Sequence, residues 1–303
     1  MLRSVLLYLS EQKRLQNFIL HQSAARRLSR RFVAGEQLDE AVTVVRDLNG
    51  EGMSVTLDHL GESVEREDQA ARAANDYIAI LERIEREGVD SGISIKLTQI
   101  GLAIDRELCG DNLRRIAQAA RERRRFVRID MEASEYVEET LNLFYELFDE
   151  FENLGVVIQS YLRRSEADVR ELAARAAPVR LCKGAYKESE KIAFQKKREV
   201  DESYVRLLEI LMRSSAPLAV ATHDVRMIEA AKAMIGSDSK RSAPVEFQML
   251  YGIRRDLQAQ LVGAGYAMRV YVPYGTEWYP YFMRRMAERP ANLLFVLRAL
   301  RKG

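Results

Sequence analysis

The stretch from Phe126 to Leu162, FVRIDMEASEYVEETLNLFYELFDEFENLGVVIQSYL, contains one complete unit of the fold. It opens on a short apolar run, Phe126–Glu132 (FVRIDME), and ends on another, Leu154–Leu162 (LGVVIQSYL). Val and Ile crowd both runs, as in strands buried on both faces. Between them Leu141, Phe144, Phe148 and Phe151 recur at spacings of three and four, which places them on one helical face. Parallel strands need a crossover of about this length. The stretch reads as strand, helix, strand.

The same alternation continues on both sides. Upstream lie Met53–Leu60 (MSVTLDHL) and Ile93–Ile100 (ISIKLTQI). Downstream lie Val179–Tyr186 (VRLCKGAY), Leu218–Asp224 (LAVATHD), Val245–Gly252 (VEFQMLYG) and Met268–Gly275 (MRVYVPYG). After the first run Tyr77, Ile78, Leu81 and Ile84 share a face, and Gly88 stands where a C-terminal cap belongs. Alternation repeated eight times is the pattern of a (β/α)8 barrel. A doubly wound open sheet alternates in the same way, and closure is not readable from the pattern. Residues 1–52 read as an N-terminal helical extension, with Leu38, Val42, Val45 and Leu48 in one stripe stopped by Asn49–Gly50. Residues 53–303 read as the barrel. No repeat, low-complexity tract or linker divides them.

The composition excludes several classes. Of 303 residues, 47% are hydrophobic and 30% charged, a globular balance. Lys and Arg (47) almost cancel Asp and Glu (45), for a formal charge of +2, so no basic excess points to nucleic acid. Arg26, Arg27, Arg30 and Arg31 cluster locally and read as a solvated helix face before a membrane or nucleic-acid contact. Two cysteines, Cys109 and Cys182, make no disulfide framework and suit a reducing cytoplasm. The apolar stretch Val5–Leu9 runs at once into Glu11, Lys13 and Arg14, so neither a secretory signal nor a membrane span develops. The expectation is a cytoplasmic protein with at most peripheral contact at the inner membrane face.

The strand runs carry polar residues, which are costly to bury and need a reason. These are Lys96, Asp130, Gln159, Arg180, Lys183, Thr222, His223, Asp224, Glu246 and Gln248. Any one reads first as a structural hydrogen bond or ion pair. The habit is shared by six strands, and barrel sites gather at strand C-terminal ends, so together they indicate a site. Lys183–Gly184–Ala185 lets the backbone approach an anion that the lysine neutralises. In the last helix Tyr281, Arg284, Arg285 and Glu288 share a stripe. It reads either as an exposed, salt-bridged face or as two guanidiniums presented to a carboxylate. A flavin-free barrel using Lys183 or Lys96 as a Schiff-base nucleophile fits the same residues. A non-catalytic module binding through Arg26–Arg31 is the non-enzyme alternative. No metal site is expected.

In order, SIKLTQ, RIDME, VIQSYL, VRLCKGAY, ATHD, EFQMLYG, YVPYG and YFMRRMAE resemble the proline dehydrogenase family, from about Met53 to Asn292. The resemblance is to monofunctional bacterial enzymes and to the matching domain of bifunctional proline-utilisation proteins. It implies a distorted (β/α)8 barrel with its last helix over the mouth. It also implies FAD, and oxidation of L-proline to Δ1-pyrroline-5-carboxylate, the first step of proline catabolism to glutamate. Electrons would pass to a quinone, with pyrroline-5-carboxylate dehydrogenase as a functional partner.

By matching positions, the resemblance makes Asp130 and Arg180 catalytic residues beside the flavin. Arg284 and Arg285, with Lys96, would bind the proline carboxylate. Tyr281 would pack on the proline ring, Leu250 would close the apolar wall, and Tyr271 would stand near the flavin ring. Met131, Gln159, Lys183, Gly184, Ala185, Thr222, His223, Gln248 and Glu288 would contact FAD. Glu62 resembles an acidic gate that pairs with the first arginine of the helix. Members preferring hydroxyproline have a smaller residue in place of Tyr281, so the tyrosine implies proline itself. Cys182, where bulky aliphatic residues are common, and Lys187, where the bifunctional proteins have an aromatic, depart from the pattern.

Overall fold

The computed structural model describes residues 29–61, 64–237 and 241–288. Eight parallel strands form a barrel in chain order: β1 (Ser54–His59), β2 (Ser91–Ile95), β3 (Val127–Ile129), β4 (Leu154–Gln159), β5 (Val179–Cys182), β6 (Leu218–Ala221), β7 (Val245–Leu250) and β8 (Ala267–Tyr274). Pairing of β1 with β8, from Ser54 against Arg269 to His59 against Tyr274, closes it and removes the open-sheet alternative. Closure leaves no strand edge unpaired.

Most strands are shorter than the apolar runs, because the last residues of the run leave the ladder. Leu97–Ile100 form a turn of 3-10 helix after β2, and Lys96 stands at its entry. Asp130, Met131 and Glu132 follow the end of β3, although the Asp130 amide still donates to Ile95 at 2.8 Å. Lys183–Ala185 follow β5, where Gly184 takes φ +100. A Cβ there would stand 2.2 Å from the Tyr161 ring, so only glycine fits this turn. The polar tails therefore converge on one end of the barrel.

The helices between strands are α2 (Glu67–Glu87), α3 (Arg106–Glu122), α4 (Ser134–Phe148), α5 (Ser165–Ala174), α6 (Lys197–Met212), α7 (Val225–Ser237) and α8 (Arg255–Gly263). Their apolar faces join the barrel exterior in one core, to which Tyr77, Leu81 and Ile84 of α2 and Leu141 and Phe144 of α4 belong. The helix before β1, α1 (Leu38–Gly50), buries Ala41, Val42, Val45 and Leu48. It packs against β1, β8 and α2, outside the seam that the helix following β8 covers in a regular barrel. The helix that does follow β8, α9 (Trp278–Glu288), lies at the mouth instead. There Trp278, Phe282 and Met286 make a second buried cluster with Phe32, Val33, Leu60 and Ile253. Trp278 Nε1 donates to Glu36 at 3.2 Å. This displacement is the distortion expected of the barrel. No described helix is long and apolar enough to cross a membrane.

Candidate active site

The strand ends open into a cavity of about 810 Å³, within the range of small-molecule and cofactor sites. Lys96 reaches it from the end of β2, Asp130 and Met131 from beyond β3, and Gln159 from β4. Arg180 and Cys182–Tyr186 contribute from β5, Ala221–Val225 from β6, Gln248–Leu250 from β7 and Tyr271 from β8. Arg285 descends from α9.

Asp130 is the hub of the deepest part. Its carboxylate accepts from Ser94 Oγ (2.8 Å), Arg180 Nη1 (2.8 Å) and the Tyr271 hydroxyl (2.7 Å). Burial, with the Asp130 charge beside it, keeps the Tyr271 hydroxyl protonated far above its usual range. Arg180, only 6% exposed, also donates Nε to Gln248 at 2.5 Å. Gln159 donates to the Met131 and Glu132 carbonyls (3.0 and 2.8 Å) and so pins the loop that carries Asp130.

Lys96 Nζ donates to Asp58 at 2.8 Å and lies 3.9 Å from Asp130. Burial opposes its charge, but the two carboxylates outweigh it and hold the ammonium above the usual lysine range. A Schiff-base nucleophile must be free as the neutral amine, so Lys96 is unsuited to that chemistry. Lys183 Nζ is likewise held between Asp201 (2.5 Å) and Asp224 (2.7 Å). The same two carboxylates also bind Lys197 and Arg226. Three cations on two carboxylates leave one positive charge in excess at the rim. His223 Nε2 accepts the Leu250 amide at 3.0 Å, which leaves the ring hydrogen on Nδ1.

Among the buried atoms of this wall, the acceptor Gln159 Oε1 and the donor Arg180 Nη2 lack partners. Each such vacancy costs about 1–3 kcal/mol unless a ligand or water meets it. A planar ligand edge with both N–H and carbonyl groups would satisfy both, and a phosphate would suit the excess charge beside Lys183. A flavin nucleotide has this donor and acceptor set. The residues present fit it.

Most of the sequence-derived site is brought together here, and four positions are not on the cavity wall; the first, Glu246, stands at the opposite end of the barrel, paired with Arg269. Tyr281 is buried in the second cluster, 5.1 Å from the Arg285 guanidinium, and Arg284 is exposed. Lys187 is also exposed and off the wall. Glu62, Arg26, Arg27 and the Glu288 side chain lie outside the described residues. Asp58 and Asp201 were not singled out from sequence. Asp58 carries the same signal as Lys96, a charge inside an apolar strand run, whereas nothing distinguishes Asp201 from other acidic residues on a helix surface.

The proline dehydrogenase family profile matches residues 41–298. This chain belongs to the proline dehydrogenase family. It is 43% identical to proline dehydrogenase 1 of Bacillus subtilis (strain 168) over 303 residues, the whole of both chains. It is 41% identical to the proline dehydrogenase of Deinococcus radiodurans over 281 residues, 91% of each chain. The crystal structure of proline utilization A (PutA) from Bdellovibrio bacteriovorus, inactivated by N-propargylglycine, superposes with a TM-score of 0.81 at 28% identity. That match covers 87% of this chain and 33% of the PutA chain, so the shared part is about a third of the larger protein. Membership in this family implies a flavin-dependent enzyme.

Proposed function

We propose that this protein oxidises L-proline to Δ1-pyrroline-5-carboxylate, with FAD bound in the strand-end cavity. The observation that carries the reading is the wall itself. It combines an unmet acceptor on Gln159, an unmet donor on Arg180 and a lysine-glycine turn. Met131, Gln159, Lys183, Gly184, Ala185, Thr222, His223, Gln248 and Glu288 are assigned to the cofactor. Lys96, Leu250, Tyr271, Tyr281, Arg284 and Arg285 are assigned to the substrate, with Asp130 and Arg180 catalytic. Residues 53–303 form the catalytic unit and 1–52 its helical extension.

When bound, the flavin supplies a hydride acceptor for the ring carbon beside the proline nitrogen. The chain's own residues position the reactants. Arg285 reaches the cavity from α9 and offers a planar fork to the carboxylate. Lys96, kept charged by Asp58 and Asp130, adds a second cation and is not a base. Fixing the carboxylate decides which ring carbon faces the cofactor. Arg180, locked by Asp130 and Gln248, is preorganised to stabilise negative charge developing beside it. Electrons leave to a quinone, the product passes to pyrroline-5-carboxylate dehydrogenase, and the protein works in the cytoplasm with at most peripheral contact at the inner membrane face.

The visible spectrum of the purified protein tests the reading. A flavin band that bleaches anaerobically on adding proline, and returns on adding a quinone analogue, is expected. A colourless protein that neither binds FAD nor gains activity from it would overturn the proposal.

A further inference from the structure

A second cavity, of about 400 Å³, lies at the opposite, N-terminal end of the barrel. Pro178, Pro217 and Pro244 rim it, each immediately preceding a strand. Arg128, from the middle of β3, forms part of its wall and is 6% exposed.

The surroundings of Arg128 are built to hold a guanidinium. Nη1 donates to the carbonyls of Val156 (3.1 Å) and Pro178 (2.8 Å). The guanidinium lies 4.8 Å from the centre of the Phe126 ring, a cation–π distance. Gly155 on β4 leaves the space it needs, since a Cβ there would stand 2.5 Å from Nη1. The positive charge has no direct counter-ion: Glu246 and Asp130 act on it only from beyond ion-pair distance, against the Arg180 and Arg269 charges. Nε is buried without a partner, and no carboxylate of the described residues lies within ion-pair distance. The other two arginines on this wall do have partners, Arg180 in Asp130 and Arg269 in Glu246. Glu152, at the rim, is exposed and holds no cation. Burial and then the nearby Arg180 charge push the Arg128 guanidinium down to about 9. A buried charge without a counter-ion is strongly unfavourable.

We propose that this cavity binds a monovalent anion, a halide or a short carboxylate, against Arg128. The wall is mostly apolar and arginine is weakly hydrated, so an anion that sheds water easily is favoured. Arg180 and Gln248 line both cavities, which places the anion one layer below the Asp130–Arg180 pair. This site goes beyond proline oxidation and does not depend on it.

The test uses the flavin-loaded enzyme. Crystals grown in gluconate and soaked in bromide are expected to give an anomalous peak beside Arg128, and formate soaks to give carboxylate density there. At constant ionic strength, exchanging gluconate for the bound anion should raise Tm saturably by a few degrees. Occupancy by bromide alone identifies a halide site, and by formate alone a carboxylate site. The peak and the Tm rise should both vanish in Arg128→Met. No bromide or formate beside Arg128 in the wild-type crystal overturns the proposal, whether or not the variant folds. A peak or Tm rise that survives in the variant overturns it as well.

Discussion

Arg180 Nη1 meets the Asp130 carboxylate at 2.8 Å, joining β5 to the residue just past β3. The pair is almost enclosed, with side chains 7% and 14% exposed. Asp130 also faces Lys96 and Tyr271, and Arg180 also holds Gln248. One ion pair thus ties together residues of five strands, β2, β3, β5, β7 and β8.

Removing either partner strands the other charge. Asp130→Ala is expected to destabilise the fold by about 3–5 kcal/mol, the cost of breaking a buried pair from one side. Arg180→Met should cost a comparable amount, and the double variant less than the sum. Urea unfolding of the four proteins measures the coupling. Flavin-loaded Asp130→Asn should also lose at least roughly tenfold in kcat, about 1.4 kcal/mol. Additive stability losses would show that the two side chains are not coupled.

The carboxylates around Lys183 make a pH prediction. Burial opposes ionisation of Asp224, but hydrogen bonds from Lys183, Arg226 and Lys197 outweigh it and hold the carboxyl well below the usual carboxylate range. Asp201 is lowered in the same way. A depressed folded-state value stabilises above the unfolded value of about 3.9, and the gain is lost as pH falls toward the depressed value. The stability gap between wild type and Asp224→Asn should be widest at neutral pH and narrow below about pH 4. Unfolding curves at pH 7, 5 and 3 check this; a gap that widens in acid contradicts the sign.

Neither thiol should react in the native protein. Burial pushes the Cys182 thiol up to about 11 and the Cys109 thiol up to about 12. Alkylation needs the thiolate. Iodoacetamide at pH 7.5 should label neither cysteine until denaturant is added, when mass spectrometry should find both. Rapid native labelling of Cys182 would mean that its part of the cavity wall opens to solvent.

Much of this arrangement was legible in the sequence because parallel barrel strands are short apolar runs that end in polar residues. Lys96, Asp130, Gln159 and Arg180 stood out as polar groups where apolar ones were due, and they share one cavity. Barrel closure was not legible, since the β1–β8 contact joins distant segments and leaves no local periodicity. The stripe of α1 showed that this helix buries a face, but not that it covers the β1–β8 seam. Helical spacing put Tyr281, Arg284 and Arg285 on one face. In the fold that face meets two environments, the cavity at Arg285 and the aromatic cluster at Tyr281. Asp201 acts through Lys183, 18 residues away in sequence, and a pairing at that separation has no sequence signature.

The two arginines of α9 should therefore be unequal. Arg285 lines the cavity and Arg284 is exposed. Arg285→Met is expected to lower kcat/KM for proline by at least roughly tenfold, about 1.4 kcal/mol, and to weaken carboxylate inhibitors in parallel. Arg284→Met should cost less. FAD content should be largely retained in both. Equal and negligible effects would remove α9 from substrate binding.

Tyr281 makes the sharpest prediction about substrate choice. Its ring is buried, 6% exposed, and lies 5.1 Å from the Arg285 guanidinium. Under the proposed assignment, a tyrosine held there would fix the height at which Arg285 meets a carboxylate and limit the space above the proline ring through Arg285. A ring hydroxyl on the substrate would face an aromatic surface, and a buried hydroxyl without a partner costs about 1–3 kcal/mol. The enzyme should therefore favour proline over 4-hydroxyproline by roughly ten- to a hundredfold in kcat/KM. Tyr281→Ser removes the ring, leaves room for water or a hydroxyl, and frees Arg285 from its stacking partner. The ratio should narrow, chiefly through slower proline turnover, while the flavin spectrum is unchanged. Steady-state kinetics with both substrates on wild type and variant decide it. If wild type already treats the two alike, or the ratio stays fixed in the variant, discrimination does not run through Tyr281.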